Sequence, residues 1–292
     1  VRPRDLAALA FVLASFAANS LVTRHVVGSG LLDPGLLTCV RFVAGAAMLA
    51  ILALATGRAG MLRVGRANVL PALALGAYAF AISYGYAFIP AAAGTFVFYA
   101  AVFLTLVASQ RRAPTGRQAA GAALALAGLA VLAASSLAGV TALGVALLAA
   151  TGIAWGLYTA AGRSRPDAQA FTTGNFALLA LPLLVAGGAF VARGAVVTPA
   201  GLAWGIAMGA GTTALAYVAW YALQRHLGGA QAGLVQLAIP ILTSLGAVLA
   251  LGEAFPPRLA LAALLVIAGL ALGVGNGATR KVEPPAAPRR GA

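Results

Sequence analysis

Carboxylates are almost missing from this chain: 292 residues carry five Asp and Glu against 19 Lys and Arg, a formal charge of +14. The five, Asp5, Asp33, Asp167, Glu253 and Glu283, fall in loops, tails or the ends of apolar runs. None stands where it could carry a proton or hold a sodium ion inside a membrane, so obligatory ion coupling is not indicated. Cysteine is equally scarce. Cys39 is the only one and lies within an apolar run, which excludes an internal disulfide and leaves a small packed side chain. The two histidines, His25 and His226, sit at opposite ends of different runs. Without an acidic pair or a His-Glu cluster there is no metal site and no catalytic constellation, and Gly28-Ser29-Gly30 is too short for a nucleophile motif. Neither an enzyme nor a cofactor is expected.

What the chain has in excess is apolar surface. Hydrophobic residues make up 62% and charged residues 8%, with a mean hydropathy of +0.98, more than a soluble core can absorb. Runs long enough to cross the hydrocarbon of a bilayer occur at 6–27, 35–56, 68–89, 91–110, 117–136, 140–162, 169–192, 200–224, 230–251 and 258–277. They give ten spans, with breaks at Ile89-Pro90 and Gly228-Gly229. The first run is long for a signal peptide and shows no clear cleavage site, so it is expected to remain as a helix. Residues 278–292, rich in Pro and Arg, are expected to form a disordered basic tail.

The basic residues lie between the runs rather than on one helix face, so orientation in a bilayer explains them and nucleic acid does not. An N-terminus inside the cell gathers all of them on that side except Arg24, Arg41, Arg193 and Arg258. Both termini are then cytoplasmic. The halves also resemble each other: Tyr78 to Tyr217 and Ala93-Gly94 to Ala232-Gly233 are both offsets of 139, and Arg117 to Gly128 matches Arg258 to Gly269 at 11. Residues 1–137 and 138–277 therefore read as two five-helix repeats, and an odd number of spans in each makes the second inverted. Inverted repeats suit alternating access to a midplane site.

Polar and aromatic residues fall on narrow stripes at helical spacing. Ser15, Asn19 and Thr23 share a face of the first span, Thr95, Tyr99 and Ser109 of the fourth, and Thr151, Trp155 and Tyr158 of the sixth. In the ninth, Gly233, Gln236, Pro240 and Thr243 line up around a central proline, which either opens onto a cavity or kinks a packing helix whose Gln236 bonds a neighbour. The expected substrate-binding set is Asn19, Tyr78, Ser83, Thr95, Tyr99, Trp155, Tyr158, Tyr217, Gln236, Pro240 and Thr243. By contrast Trp220, Tyr221 and Gln224, near the end of the eighth span, read as an interfacial aromatic belt. Arg41, two turns inside the second span, is expected to snorkel outward, else to pair with Asp33, else to meet a substrate carboxylate, in that order. Small residues in the fifth and tenth spans, Gly121/Ala125 and Gly269/Gly273, look like scaffold or dimer contacts.

These features in this order resemble the drug/metabolite transporter superfamily with its tandem EamA-type halves. The resemblance is carried by Phe16-Ala17-Ala18-Asn19 with Arg24, Asp33-Pro34 and Arg41 in the first half. In the second it is carried by Trp155-Gly156-Leu157-Tyr158 with Arg163, Pro240 and Leu251-Gly252-Glu253. The chain departs from the pattern at Phe16, where Trp is common, and at Ala101, which replaces the counterpart of Pro240 and leaves the fourth span without a proline kink. The resemblance implies an all-α polytopic protein of ten helices around a central cavity, located in the bacterial inner membrane. It looks most similar to the YddG-type exporters, which implies export of aromatic and other neutral amino acids; efflux of other metabolites or cationic toxicants is the alternative. The implied partners are a small-molecule substrate and the lipid bilayer, with the chain acting as a monomer.

Overall fold

Ten apolar runs become ten helical spans in the computed structural model. The structure describes residues 3–86, 88–89, 91–110, 113–134, 139–163, 165–224, 226–252, 255 and 257–274. Expectations about Pro90, Glu253, Glu283, the loop residues Arg111, Arg112 and Arg225, and the tail from 278 lie outside the described residues.

The spans are α1 (Pro3–Gly28), α2 (Pro34–Ala55), α3 (Arg66–Gly85), α4 (Ala91–Ala108), α5 (Gly116–Ala133), α6 (Ala142–Arg163) and α7 (Ala168–Ala192). α8 is built from three contiguous pieces, Pro199–Ala207, the π-helical Met208–Leu215 and Ala216–Gln224. α9 is broken into Gly229–Gln236 and Ile239–Leu251, and α10 is Pro257–Val274. Among the described residues nine spans are long and apolar enough to cross a membrane, and α4 contributes a shorter apolar stretch, Ala93–Ala108. Large apolar side chains such as Leu70, Leu184, Leu249 and Ile267 point outward, as a lipid-facing surface requires.

Local chemistry sets the helix ends. Asp33 starts α2 by accepting from the backbone N–H of Gly35 (2.8 Å) and Leu36 (3.2 Å), with Pro34 in the first turn where no donor is needed. Asp167 does the same for α7 through Ala170 N–H (2.9 Å), and Thr198 with Pro199 starts α8. Pro240 explains the break in α9. It has no N–H to give to the Gln236 carbonyl and its ring crowds that oxygen, so the chain tightens at Leu237 and Ala238 and restarts at Ile239. α4, with Ala101 at the matching place, is unbroken.

The helix pairings survive exchange of the two halves: α2 packs on α7, and α5 on α10. α4 and α3 pack on α6 as α9 and α8 pack on α1. α2 and α7 are also tied at both ends. At one end Asp33 N–H donates to Val196 O (3.1 Å) and Thr198 N–H to Leu31 O (3.1 Å); at the other Arg58 pairs with Asp167. Gly121 on α5 and Gly269 on α10 face each other's backbone within the chain, so these small residues are scaffold contacts rather than a dimer face.

Candidate functional site

A cavity of about 1070 Å³ lies between the halves, and its wall takes residues from both. From the first half come Asn19, Tyr78, Ser83, Thr95 and Tyr99; from the second come Trp155, Tyr217, Gln236, Pro240 and Thr243. Tyr158 is the one member of the expected set that the structure places elsewhere. It is fully buried, stacked on Phe171 at 5.6 Å, behind the ring of Trp155. The spacing that puts Tyr158 and Trp155 on neighbouring faces of α6 does not make both reach the same wall. Gly233 is also off the wall, pressed against Phe103 of α4.

Much of the polar wall is already bonded across helices. Trp155 Nε1–H donates to Gln236 Oε1 (2.7 Å), and Gln236 Nε2 donates back to Ala232 O (3.0 Å), both fully inside the protein. This bond joins α6 to α9 at the point where α9 breaks. Asn19 Nδ2 donates to Thr212 O (3.0 Å), and Thr212 Oγ1 donates to Asn19 Oδ1 (2.5 Å), clipping α1 to the π-helical turns of α8. Thr38 and Ser83 hydroxyls share a bond at 2.5 Å, and Tyr86 and Thr95 another at 3.1 Å. Asn19→Ala is therefore expected to lower the melting temperature, by loss of about 1–2 kcal/mol, because it removes the interhelical bonds of Asn19 to Thr212 and Thr213 and leaves the Thr212 backbone carbonyl without its side-chain donor. A thermal melt of the purified protein checks this.

Among the described residues the cavity wall reaches one end of the bundle and not the other. Its wall runs out to Gly28 and Pro34, where α1 ends and α2 begins. Toward the ends of α6 and α8 it is sealed by rings: Phe16 meets Trp155, Tyr217 and Trp220 edge-on at 5.7, 5.8 and 6.2 Å. Behind them Tyr158, Tyr221 and Phe171 pack together, and Tyr221 OH donates to Tyr158 O (3.3 Å). Such a water-excluding stack is stabilised by area burial and edge-to-face contacts.

A closed aromatic seal, a polar cavity and a bundle of apolar helices together have the architecture of a membrane carrier, and comparison with known proteins agrees. The EamA-like transporter family matches residues 142–274. A Pseudomonas aeruginosa relative, "Uncharacterized protein PA1977", is 36% identical over 276 residues, 92% of this chain and 94% of its own. The chain belongs to the EamA-like transporter family. It is thus a multi-pass membrane transporter of small molecules, in a family of transporters rather than enzymes. One solved structure, named "Crystal structure of protein", superposes with a TM-score of 0.78 at 23% identity, over 96% of this chain and 100% of its own, and shows the same fold.

In this EamA-like transporter Trp220, Tyr221 and Gln224 are not an interfacial belt. All three are buried, and with its amide turned to suit its neighbours Gln224 accepts from Trp220 Nε1–H (2.6 Å) and donates to Thr159 O (3.1 Å). Position near a helix end suggested the belt; the face of α8 on which they sit decides otherwise. Sequence reasoning also missed Thr212, because a π-helical segment turns two consecutive threonines toward α1, which a 3.6-residue period does not predict.

Arg41 is placed differently from both first expectations. It neither snorkels, being 7% exposed, nor reaches Asp33, whose carboxylate caps α2. Instead it lines the cavity, its guanidinium carbon 4.7 Å from the centre of the Phe42 ring. Arg24 and His25 line the outer part of the same wall, and no Asp or Glu among the described residues does. Among those residues no group of three His, Cys, Asp or Glu comes together to hold a metal ion.

Proposed function

We propose that this transporter exports amino acids, aromatic and other neutral ones, across the bacterial inner membrane by alternating access, as uncoupled facilitated diffusion. The observation that carries the reading is the cavity itself: rings and hydroxyls from both halves around about 1070 Å³, sealed at one end by packed aromatic side chains. A space of that size holds an amino acid with its side chain, and Trp155, with the rings of Tyr78 and Tyr217 at 5.0 and 5.1 Å from its own, offers with them faces on which an apolar side chain packs. A wall with basic groups and no described carboxylate suits a solute with a carboxylate better than a cationic toxicant.

The conserved pairing of helices on exchange of halves supports two inverted repeats, residues 1–137 and 138–277, and so a second conformation in which the opposite end is open. The bodies that move against each other are α1 with α8 and α9, and α6 with α3 and α4. With both termini cytoplasmic, the conformation described here opens outward and the aromatic seal closes the cytoplasmic side. The chain works as a monomer and needs no cofactor.

The test is counterflow. Proteoliposomes loaded with unlabelled phenylalanine should accumulate external labelled phenylalanine faster than empty-vesicle controls, and an imposed proton gradient should leave the rate unchanged. Uptake equal to that of protein-free vesicles sinks the substrate assignment; accumulation driven by the gradient sinks the uncoupled mechanism.

A further inference from the structure

We propose that Arg41 forms an anion subsite of the cavity, the point at which a substrate carboxylate is held. The inference rests on the transport reading above and narrows its substrates to small molecules that join a carboxylate to an apolar or aromatic body.

The argument begins with charge. A guanidinium stays ionised throughout the range in which proteins work, and an ion taken out of water costs several kcal/mol unless a counter-charge or a full set of acceptors meets it. Arg41 is 7% exposed, and its Nε and Nη2 donors reach no acceptor in the protein. The described carboxylates are all engaged elsewhere. Asp33 caps its own helix and begins it eight residues earlier, about 12 Å along the axis at 1.5 Å per residue. Asp167 pairs with Arg58, and Asp5 lies beside Arg4 at 3.9 Å. The face of the Phe42 ring answers only part of the charge.

Geometry supplies the rest. Arg41 sits on the cavity wall one turn beyond Thr38, whose hydroxyl is bonded to that of Ser83 on the neighbouring helix α3. Its neighbour Phe42 stacks on Phe176 at 5.3 Å, and Phe176 meets Tyr217 edge-on at 5.8 Å, so a continuous run of rings links the base of Arg41 to the aromatic wall. A planar fork of donors matches a carboxylate, and the rings match the body attached to it. The cation and the apolar faces are therefore presented to one ligand within one cavity.

The experiment is calorimetric titration of the purified full chain with three probes: L-phenylalanine, 3-phenylpropionate, which keeps the carboxylate without the amine, and phenethylamine, which keeps the amine without the carboxylate. The unaltered protein should bind the two carboxylates and discriminate against phenethylamine. Arg41→Gln should weaken both carboxylates by roughly 10- to 100-fold, and Arg41→Lys by less because a point charge remains. Melting curves of the variants show whether each is folded, and Arg41→Lys keeps the comparison available should Arg41→Gln fail. Failure of 3-phenylpropionate to bind the unaltered protein overturns the inference, as does equal loss of all three probes or no loss on substitution. If 3-phenylpropionate binds through Arg41 while L-phenylalanine does not bind, the anion subsite stands and the amino-acid reading falls. If L-phenylalanine binds with an affinity indifferent to Arg41, the reverse holds.

Discussion

Gly269→Leu should abolish the folded protein. A Cβ at Gly269 would overlap the carbonyl oxygen of Gly121 and lie 2.8 Å from the nitrogen of Ala125, and a Cβ at Gly121 would lie 2.5 Å from the oxygen of Gly269. These are backbone atoms, so no rotamer change relieves the overlap; α5 and α10 have to move apart. Helices in lipid gain little hydrophobic energy by pairing and depend on close contact, and α5 with α10 forms the most extensive helix pair in the bundle. The cost is expected to be about 3 kcal/mol or more, enough to remove a marginally stable protein. Detergent-extracted Gly269→Leu should lack a monodisperse peak on size exclusion. Gly188→Leu, on α7 where a Cβ meets nothing within 4 Å, should keep one. A normal peak for Gly269→Leu would mean that this helix pair is dispensable.

Trp155→Phe should shift the resting conformation without unfolding the chain. The ring stays in the seal, but Gln236 Oε1 loses the donor 2.7 Å away and is left buried without one. That penalty of about 1–3 kcal/mol falls on the conformation in which α6 and α9 are joined, and changes the ratio of states by roughly 5- to 150-fold. Thr159, fully buried among the sealing rings, provides the readout. In a Cys39→Ala background Thr159→Cys should resist maleimide while Trp155 is present and react several-fold faster in the Trp155→Phe variant. Equal rates would show that the Trp155–Gln236 bond does not hold the seal.

The spans were legible because one physical requirement, a run of apolar residues as long as the bilayer is thick, dominates everything else about them. The cavity wall was legible in the same way, since polar residues at helical spacing must face away from lipid. Asn19, Tyr78 and Tyr99 line the wall, but Asn19 spends its amide on Thr212, a partner on a helix far away in sequence. Periodicity says which face a residue is on and is silent about what stands opposite. That is why helical spacing alone puts Tyr158 on the cavity wall and Trp220 at the interface, and why Arg41, read from its helix alone, is expected first to snorkel and only then to pair with Asp33 or meet a substrate carboxylate. The break in α9 was visible at Pro240, whereas the π-helical turns of α8 have no residue that announces them.

The order of pairing has a consequence for how the chain is made. α1 leaves the ribosome before α8 and α9, yet it packs chiefly on them and touches α2 only slightly. Its polar stripe, with the Asn19 amide at its centre, must be carried by the bilayer or the insertion machinery until the chain has been synthesised through Leu251. α6 faces no such delay, because α3 and α4 are already in place when it arrives. Two halves that match in the finished protein therefore mature by different schedules, and α1, made before the helices it packs on, waits longer for its place than α6 does.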